Sequence, residues 1–308
     1  MNQPRDYPFA RYLAAKKSID DRALNPHVWG KLAQFLSQMP GDDPLRILEV
    51  GAGIGTMIER LLERNLLRYA EYTAVDNQPE NLLVAHQRLE NWGRRHRARI
   101  ESQPAAIHLE GDQCRLLTLF EVADVQHFIH RSGSSGYNLL IAHAFLDLVD
   151  VPSTLPGLLS LIQPEGAFYF SLNFDGLTLL EPAIDLRLDE LVQTLYHQSM
   201  DARLVDGKPS GDSRTGRRLF IHLKNAGAEI LAAGGSDWVI YPQMGRYPED
   251  EAFFLHFIIH TIDQALRGHP ALEPGAFADW VAERHAQVER GELVYIAHQL
   301  DFFGRRNA

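Results

Sequence analysis

The sequence contains one cysteine, Cys114, in 308 residues. A single cysteine cannot form an internal disulfide, which excludes a secreted disulfide scaffold and a zinc module built on clustered cysteines. No apolar run approaches the roughly 20 residues that a membrane helix needs. The segment from Met1 to Arg11 also lacks the apolar core of a signal peptide. These absences predict a cytoplasmic globular protein with no membrane association.

The chain also lacks an excess of positive charge. It carries 30 basic and 40 acidic side chains, a formal net charge of −10. This balance gives no bulk attraction to a phosphate backbone, so a nucleic-acid partner is disfavoured and a small-molecule substrate is favoured. Hydrophobic residues make up 45% of the chain, enough for one large domain or two modest ones.

Internal repeats and low-complexity tracts are absent too. Instead, short apolar strands alternate with amphipathic helices, which is typical of an α/β fold with a parallel sheet covered on both faces. The predicted strands are 46–50, 72–76, 106–109, 137–142, 167–172, 229–241 and 293–303. Helices are predicted between them, with longer helical segments after Asn173.

The most informative segment follows the first strand. It reads Glu49-Val50-Gly51-Ala52-Gly53-Ile54-Gly55 and leads directly into a helix. Glycines at this position allow a sharp turn and a close approach of the backbone to a ligand. Asp76 ends the next strand, where a carboxylate could accept hydrogen bonds from ribose hydroxyls.

Two classes of cofactor use such a loop. The dinucleotide fingerprint Gly-x-Gly-x-x-Gly would need a third glycine where this sequence has Thr56, because its glycine comes one residue early, at Gly55. The pattern Glu-x-Gly-x-Gly-x-Gly instead resembles motif I of the class I S-adenosylmethionine-dependent methyltransferases. The order of strands and turns from about residue 45 to 175 continues the resemblance.

The resemblance implies a Rossmann-like, seven-stranded, mostly parallel sheet with helices on both faces and an antiparallel last strand inserted beside strand five. It also implies S-adenosylmethionine as cofactor, with Asp76 binding the ribose, Asp112 after strand three facing the adenine, and His143 beside the methionine part. The full set of predicted cofactor-binding residues, to which Arg22 is added for its guanidinium, is Arg22, Glu49, Gly51, Ala52, Gly53, Gly55, Asp76, Asn77, Asp112, Gln113 and His143.

Other candidate residues carry more than one interpretation. His143 could accept a proton from the methyl acceptor, or could only pack while its backbone contacts the cofactor. Arg22 could bind the methionine carboxylate, or could form an ion pair within its own helix. Asp147, Arg214, Trp238 and Tyr241 are predicted to contact the substrate. No metal ligand set is predicted.

We divide the chain into an N-terminal helical cap, residues 1–44, and a methyltransferase domain, residues 45–308. Segments 174–213 and 242–292 leave the carboxyl ends of strands, where ligands of parallel sheets bind, so we expect them to form a lid or wall around the acceptor. The predicted function is methyl transfer to a small or medium organic acceptor on oxygen, nitrogen or carbon. Alternatives are a cofactor-binding regulatory protein without catalysis, a nicotinamide-dependent oxidoreductase and, less favoured, an RNA methyltransferase. A homodimer is compatible with the sequence.

Overall fold

Helices and strands alternate through most of a computed structural model that describes residues 3–39, 43–112, 114–133, 136–205 and 207–307. The helices in these ranges are α1 (Phe9–Ala23), α2 (Pro26–Gln38), α3 (Thr56–Glu63), α4 (Pro79–Arg95), α5 (Val125–Ser132), α6 (Val151–Ser160), α7 (Leu186–Asp201), α8 (Thr215–Asn225), α9 (Glu251–Leu266) and α10 (Pro274–Glu289). The strands are β1 (Leu45–Val50), β2 (Tyr69–Asp76), β3 (Arg99–Gln103), β4 (Ala106–Glu110), β5 (Arg115–Val122), β6 (Tyr137–His143), β7 (Ile162–Glu181), β8 (Leu204–Val205), β9 (Lys208–Pro209), β10 (Ala228–Gly235), β11 (Trp238–Ile240) and β12 (Val294–Arg306).

One sheet organises the fold. Its strand order is β10-β12-β7-β6-β1-β2-β5-β4-β3, and β11 pairs with the first half of β12. The central pairs β6–β7, β1–β6, β1–β2 and β2–β5 are parallel. Parallel neighbours need crossover connections, and helices supply them on both faces. The predicted α/β architecture is therefore confirmed.

The last strand lies inside the sheet. β12 runs antiparallel to β7 on one side and antiparallel to β10 on the other, with Phe302 opposite Phe170 and Phe303 opposite Ala232. Because two antiparallel steps restore direction, β10 runs parallel to β7. The expected insertion of an antiparallel last strand beside strand five is confirmed.

The predicted third strand is at the wrong place in the sheet. Residues 106–109 do form a strand, β4, but β4 is antiparallel to β5 and belongs to an edge hairpin with β3. The parallel neighbour of β2 is β5, which the sequence analysis did not predict. Exposed and buried residues alternate along β5, so it has no continuous apolar run. With this hairpin and β11, the sheet has ten strands in the described part of the chain, not seven.

Apolar side chains fill both faces of the sheet. The face covered by α5, α6 and α8 receives Leu48 and Val50 of β1, and the opposite face receives Ile47. On that second face α1 packs against α9, where Tyr12 stacks on Phe254 with ring centroids 5.5 Å apart. In the residues that the structure describes, no helix is long and apolar enough to cross a membrane.

Candidate functional site

The loop between β1 and α3 has the backbone that its glycines predict. Gly51, Gly53 and Gly55 have φ values of 67°, 53° and 76°. Side chains other than glycine adopt this left-handed region at a cost, so the glycines fit the turn itself. The amide of Ala52 donates to the carbonyl of Val75 at 3.0 Å, which fixes the loop to the end of β2.

Asp76, the last residue of β2, holds the loop from the other side. Its Oδ2 accepts a hydrogen bond from the Gly53 amide at 2.8 Å. Its Oδ1 accepts from the Gln78 amide at 2.9 Å and from Asn81 Nδ2 at 3.2 Å. A carboxylate has about four acceptor sites, so three donors leave capacity for a ligand. The neighbouring Asn77 is exposed.

Two apolar side chains lie over the glycines. A Cβ added at Gly51 would lie 2.3 Å from Cδ2 of Phe145, and one added at Gly53 would lie 3.3 Å from Cδ1 of Leu13 in α1. Phe145 and Leu13 are themselves only half-buried. The glycine loop is therefore an apolar cradle, with α1 on one side and the segment after β6 on the other.

Glu49, the first residue of the motif, points away from solvent. Its Oε2 accepts a hydrogen bond from the Tyr72 hydroxyl at 2.7 Å, and the side chain is buried. Burial raises the pKa of Glu49 to about 8, although the Tyr72 hydrogen bond and the Arg60 charge both lower it. Glu49 is therefore protonated at neutral pH and acts as a neutral partner of Tyr72 beneath the cradle.

A buried ionic group lies beside the cradle, at the carboxyl end of β6. We call Lys16, Asp20, Arg60, His143 and Trp238 the Asp20 cluster. Oδ2 of Asp20 lies 3.0 Å from Lys16 Nζ, 3.0 Å from His143 Nε2 and 3.3 Å from Arg60 Nη2. Oδ1 of Asp20 accepts a hydrogen bond from Trp238 Nε1 at 2.9 Å.

Electrostatics keep Asp20 charged in this environment. Burial alone would raise its pKa, but Lys16, the hydrogen bond with His143 and the Arg60 charge hold it well below its usual range. A buried carboxylate with this many partners has its hydrogen-bonding capacity satisfied. Removing it would leave the surrounding cations buried without their negatively charged partner.

Both ring nitrogens of His143 are engaged inside the protein. Nδ1 lies 2.8 Å from Ser171 Oγ, and Nε2 lies 3.0 Å from both Asp20 Oδ2 and Arg60 Nη1. Burial and the Arg60 charge lower the pKa of His143 to about 4 despite Asp20. The imidazole is therefore neutral at pH 7, and its contacts are those of a packed, positioning residue.

The other predicted residues are dispersed. Arg22 donates to both carboxylate oxygens of Glu251, at 2.6 and 3.0 Å, and this glutamate is fully buried. Tyr241 is half-exposed and close enough to raise the pKa of Arg22, after larger effects of Glu251. Arg214 is exposed. Of the predicted substrate residues, Trp238 joins the Asp20 cluster, and Asp147 lies in a short turn four residues beyond the end of β6.

Asp112 lies on the opposite edge of the sheet from the glycine loop. Because β4 is antiparallel, residues after it precede β5 and lie at the amino ends of β2 and β5. Asp112 is exposed there, in a surface pocket with Arg68, Cys114 and Arg115. Its predicted place beside the cofactor is therefore wrong, and Gln113 lies outside the described residues. After β5, the carboxyl edge instead carries Asp124, which caps α5.

Sequence reasoning missed Lys16, Asp20, Arg60 and Phe145. The only local signal was the four-residue spacing of Lys16 and Asp20 on α1, which is common on solvated helices. Among the described residues, no group of three His, Cys, Asp or Glu side chains could hold a metal ion.

Comparisons with known proteins bear on the fold. No protein-family model and no curated protein matches this chain. A solved structure from Bacillus halodurans C-125, named a "putative methyltransferase", superposes with a TM-score of 0.51 at 10% identity, covering 91% of this chain and 100% of the other. A methyltransferase structure from Methanosarcina mazei gives a TM-score of 0.45 at 13% identity, over 92% and 98% of the two chains.

At such low sequence identity these similarities concern the fold alone. The assignment of the fold rests on the structure from Bacillus halodurans. Together with the strand order and the inserted β12, it shows that the chain has the class I methyltransferase fold.

Proposed function

We propose that this protein binds S-adenosylmethionine and transfers its methyl group to a small or medium organic acceptor. The observation that carries the proposal is the clamp between Asp76 and Gly53, 2.8 Å long, at the carboxyl edge of the parallel sheet. Ligands of open parallel sheets bind at this edge. The similarity of the fold to a solved methyltransferase structure also supports methyl transfer, independently of the Asp76 geometry.

The residues present fit such a cofactor. The three left-handed glycines expose backbone, Asp76 retains acceptor capacity for ribose hydroxyls, and Leu13 with Phe145 offers apolar surface for a nucleoside. Ala52 and the backbone of His143 lie along the same edge. We do not assign Arg22 to the cofactor, because Glu251 already binds its guanidinium in bidentate geometry.

When bound, the cofactor would supply an electrophilic methyl group on a sulfonium. The chain would contribute orientation and exclusion of water, which account for much of the rate in well-oriented transfer reactions. The Asp20 cluster joins α1, α3, β6 and β11 at the carboxyl edge, so it would fix the walls of the site. Helices α7, α9 and α10, from the two predicted lid segments, would enclose an acceptor of limited size.

The acidic balance, −10 in net charge, supports a small-molecule acceptor over a nucleic acid, and a cytoplasmic location is kept as part of the proposal.

One observation favours a second candidate, a cofactor-binding regulatory protein. Both ring nitrogens of His143, the predicted base, have partners inside the protein.

Calorimetric titration with S-adenosylhomocysteine, with NAD and NADP as comparison ligands, tests the proposal. We expect binding of S-adenosylhomocysteine alone. Asp76→Ala should weaken it by roughly 1–3 kcal/mol, because ribose hydrogen bonds to a charged group are lost. Asp185→Ala is the matched control, since Asp185 caps α7 through the amides of Arg187 and Leu188.

Equal binding to wild type and a folded Asp76→Ala variant would contradict the ribose assignment. Binding of NAD in preference to S-adenosylhomocysteine would favour the oxidoreductase. Tight binding without methylation of any acceptor in a broad panel would favour the regulatory protein.

A further inference from the structure

Asp147 has a buried oxygen that the protein leaves without a partner. It lies in a 3-10 turn, Leu146–Leu148, four residues beyond His143 and the end of β6. The side chain as a whole is part-buried, but its Oδ1 is fully buried and has no hydrogen-bond partner in the described part of the chain. Unpaired buried carboxylate oxygens are uncommon in folded proteins and need an explanation.

The surroundings of Asp147 come from α7 and the loop before α8. Its carbonyl accepts a hydrogen bond from the Asp212 amide at 3.4 Å. A Cβ added at Gly211 would lie 3.2 Å from this carbonyl, 3.3 Å from the carbonyl of Met200 and 3.6 Å from Nη1 of Arg203. The end of α7 therefore meets the turn that carries Asp147.

Two tyrosines lie near enough to Asp147 to sense its charge. Tyr196 lies one turn before Met200 on α7, and Tyr12 lies one turn before Lys16 of the Asp20 cluster. Tyr12 stacks on Phe257 at 4.1 Å between ring centroids. Burial raises the pKa of Tyr196 to about 12, and Asp147 adds to it. Burial also raises the pKa of Tyr12 well above its usual value, with contributions from Asp20, Tyr295, Tyr196 and Asp147.

The charge state of Asp147 is set by opposing effects. Burial raises its pKa to about 6, while its own backbone amide, Lys16 and Arg203 lower it. The carboxylate is therefore mostly ionised at neutral pH but takes up a proton more readily than an exposed aspartate. The nearby Lys16 and Arg203 would repel a cationic ligand and the Asp147 carboxylate would repel an anionic one, so the charges together favour an uncharged ligand.

We propose that Oδ1 of Asp147 accepts the hydrogen bond of the nucleophilic O–H or N–H on the methyl acceptor, and that this acceptor is a neutral molecule with a flat apolar body held near Tyr12 and Tyr196. This inference rests on the proposed methyl transfer and narrows it. It favours acceptors that carry a transferable proton over carbon nucleophiles without one.

The step balances without another reactant. The oxygen or nitrogen forms a bond to the methyl carbon while the carbon–sulfur bond breaks, and the electron pair of that bond returns to sulfur. The proton of the O–H or N–H passes to Asp147, which later releases it to water. Asp147 would then be a catalytic residue, and His143 a positioning residue.

Ligand-observed NMR titrations of phenol, aniline and anisole test the proposal without turnover. Phenol and aniline are neutral donors at pH 7.5, whereas anisole has the same ring without a donor. We expect the wild type, saturated with S-adenosylhomocysteine, to bind phenol and aniline about tenfold more tightly than anisole, because their hydrogen bond is charge-assisted. A higher affinity for phenol than for aniline would favour an oxygen nucleophile on the acceptor, and a higher affinity for aniline would favour a nitrogen nucleophile.

In Asp147→Asn the preference should fall to within about twofold, while the affinity for anisole stays unchanged. Asp212→Asn is the matched control, because the Asp212 carboxylate serves the Arg214 amide and Arg218 instead. If Asp147→Asn does not fold, the affinities of the wild type for the three probes test the proposal on their own.

A wild type that binds S-adenosylhomocysteine but shows no preference for the donor probes, or binds none of the three, would overturn this proposal alone. A donor preference that survives Asp147→Asn would do the same. Failure to bind S-adenosylhomocysteine would overturn the proposed function, and the proton-transfer role of Asp147 with it.

Discussion

Asp20 of α1 and Arg60 of α3 form an ion pair of 3.3 Å in which each side chain is only 1% exposed. The two residues are 40 positions apart, and the pair fixes the N-terminal helix against the helix that follows the glycine loop. A buried pair of this kind adds little net stability compared with apolar packing, but losing one partner leaves the other buried and uncompensated.

Asp20→Ala should therefore lower the free energy of unfolding by about 3–5 kcal/mol. It removes the partner of Lys16, Arg60 and Trp238 at once. Asp21→Ala is the matched control, since Asp21 also pairs with Arg60 but its side chain is 32% exposed. We expect a loss of about 1 kcal/mol there. Urea denaturation measures both, and equal losses would contradict the special position of Asp20.

Arg22→Ala should reduce stability and leave the affinity for S-adenosylhomocysteine within about twofold of wild type. The variant leaves Glu251, fully buried, without its bidentate partner, at a cost of about 1–3 kcal/mol. Arg11→Ala, which breaks the more exposed pair with Asp250, should cost less than about 1 kcal/mol. A large fall in ligand affinity for Arg22→Ala alone would restore its predicted role at the cofactor.

Gly51→Ala should destabilise the protein by about 2–4 kcal/mol, from left-handed strain and overpacking against Phe145 together. Gly268→Ala is the matched control: its φ is +79°, but an added Cβ meets nothing within 4 Å. It should cost about 1–2 kcal/mol. In a Phe145→Ala background, Gly51→Ala should destabilise the protein less than it does in the wild type, because the added Cβ no longer meets the Phe145 ring. Thermal and urea unfolding of the set would show whether it does.

Stability should depend on the protonation of Glu49 between about pH 4.5 and 8. The pKa of Glu49 is about 8 in the folded chain, above its unfolded value of 4.5, so the folded state holds the extra proton between these values. Stability from this group is present at low pH and falls as pH rises through 8, by about 1.4 kcal/mol per pH unit at most. Glu49→Gln should flatten this slope between pH 5 and 8. Parallel slopes in urea titrations of the two proteins would contradict the assignment.

His143 should behave in the opposite sense. Its pKa of about 4 lies below the unfolded value of 6.5, so between these values only the unfolded chain holds the proton. Stability from this group is complete above pH 6.5 and is lost as pH falls toward 4. NMR of ¹³C-labelled histidine should show the His143 ring still neutral at pH 5.5. Titration of the His143 ring near 6.5 would refute the buried contacts.

The sequence predicted the cradle well because its determinants are local. Gly51, Gly53 and Gly55 specify a turn within five residues, and Asp76 closes it from the end of the adjacent strand. The positions of β1, β2, β6 and β7 along the chain also followed from short apolar runs, which report burial on both faces.

The Asp20 cluster was not predictable in this way. Asp20 meets residues 40, 123 and 218 positions away, and no periodicity in the sequence encodes such contacts. The error at Asp112 had a different cause. An antiparallel hairpin reverses which end of a strand faces the ligand, and β5, with its alternating burial, did not resemble the buried strands on either side.

The position of β12 has a consequence for the order in which the protein can form during synthesis. β12 is the only bridge in the described chain between β7 and β10, and it also anchors β11. The ribosome makes it after all of these strands. The β5-β2-β1-β6-β7 layer can assemble while synthesis continues, but β10 must wait for residues near 300 to emerge, exposing the free edge of β7 to cellular chaperones until then.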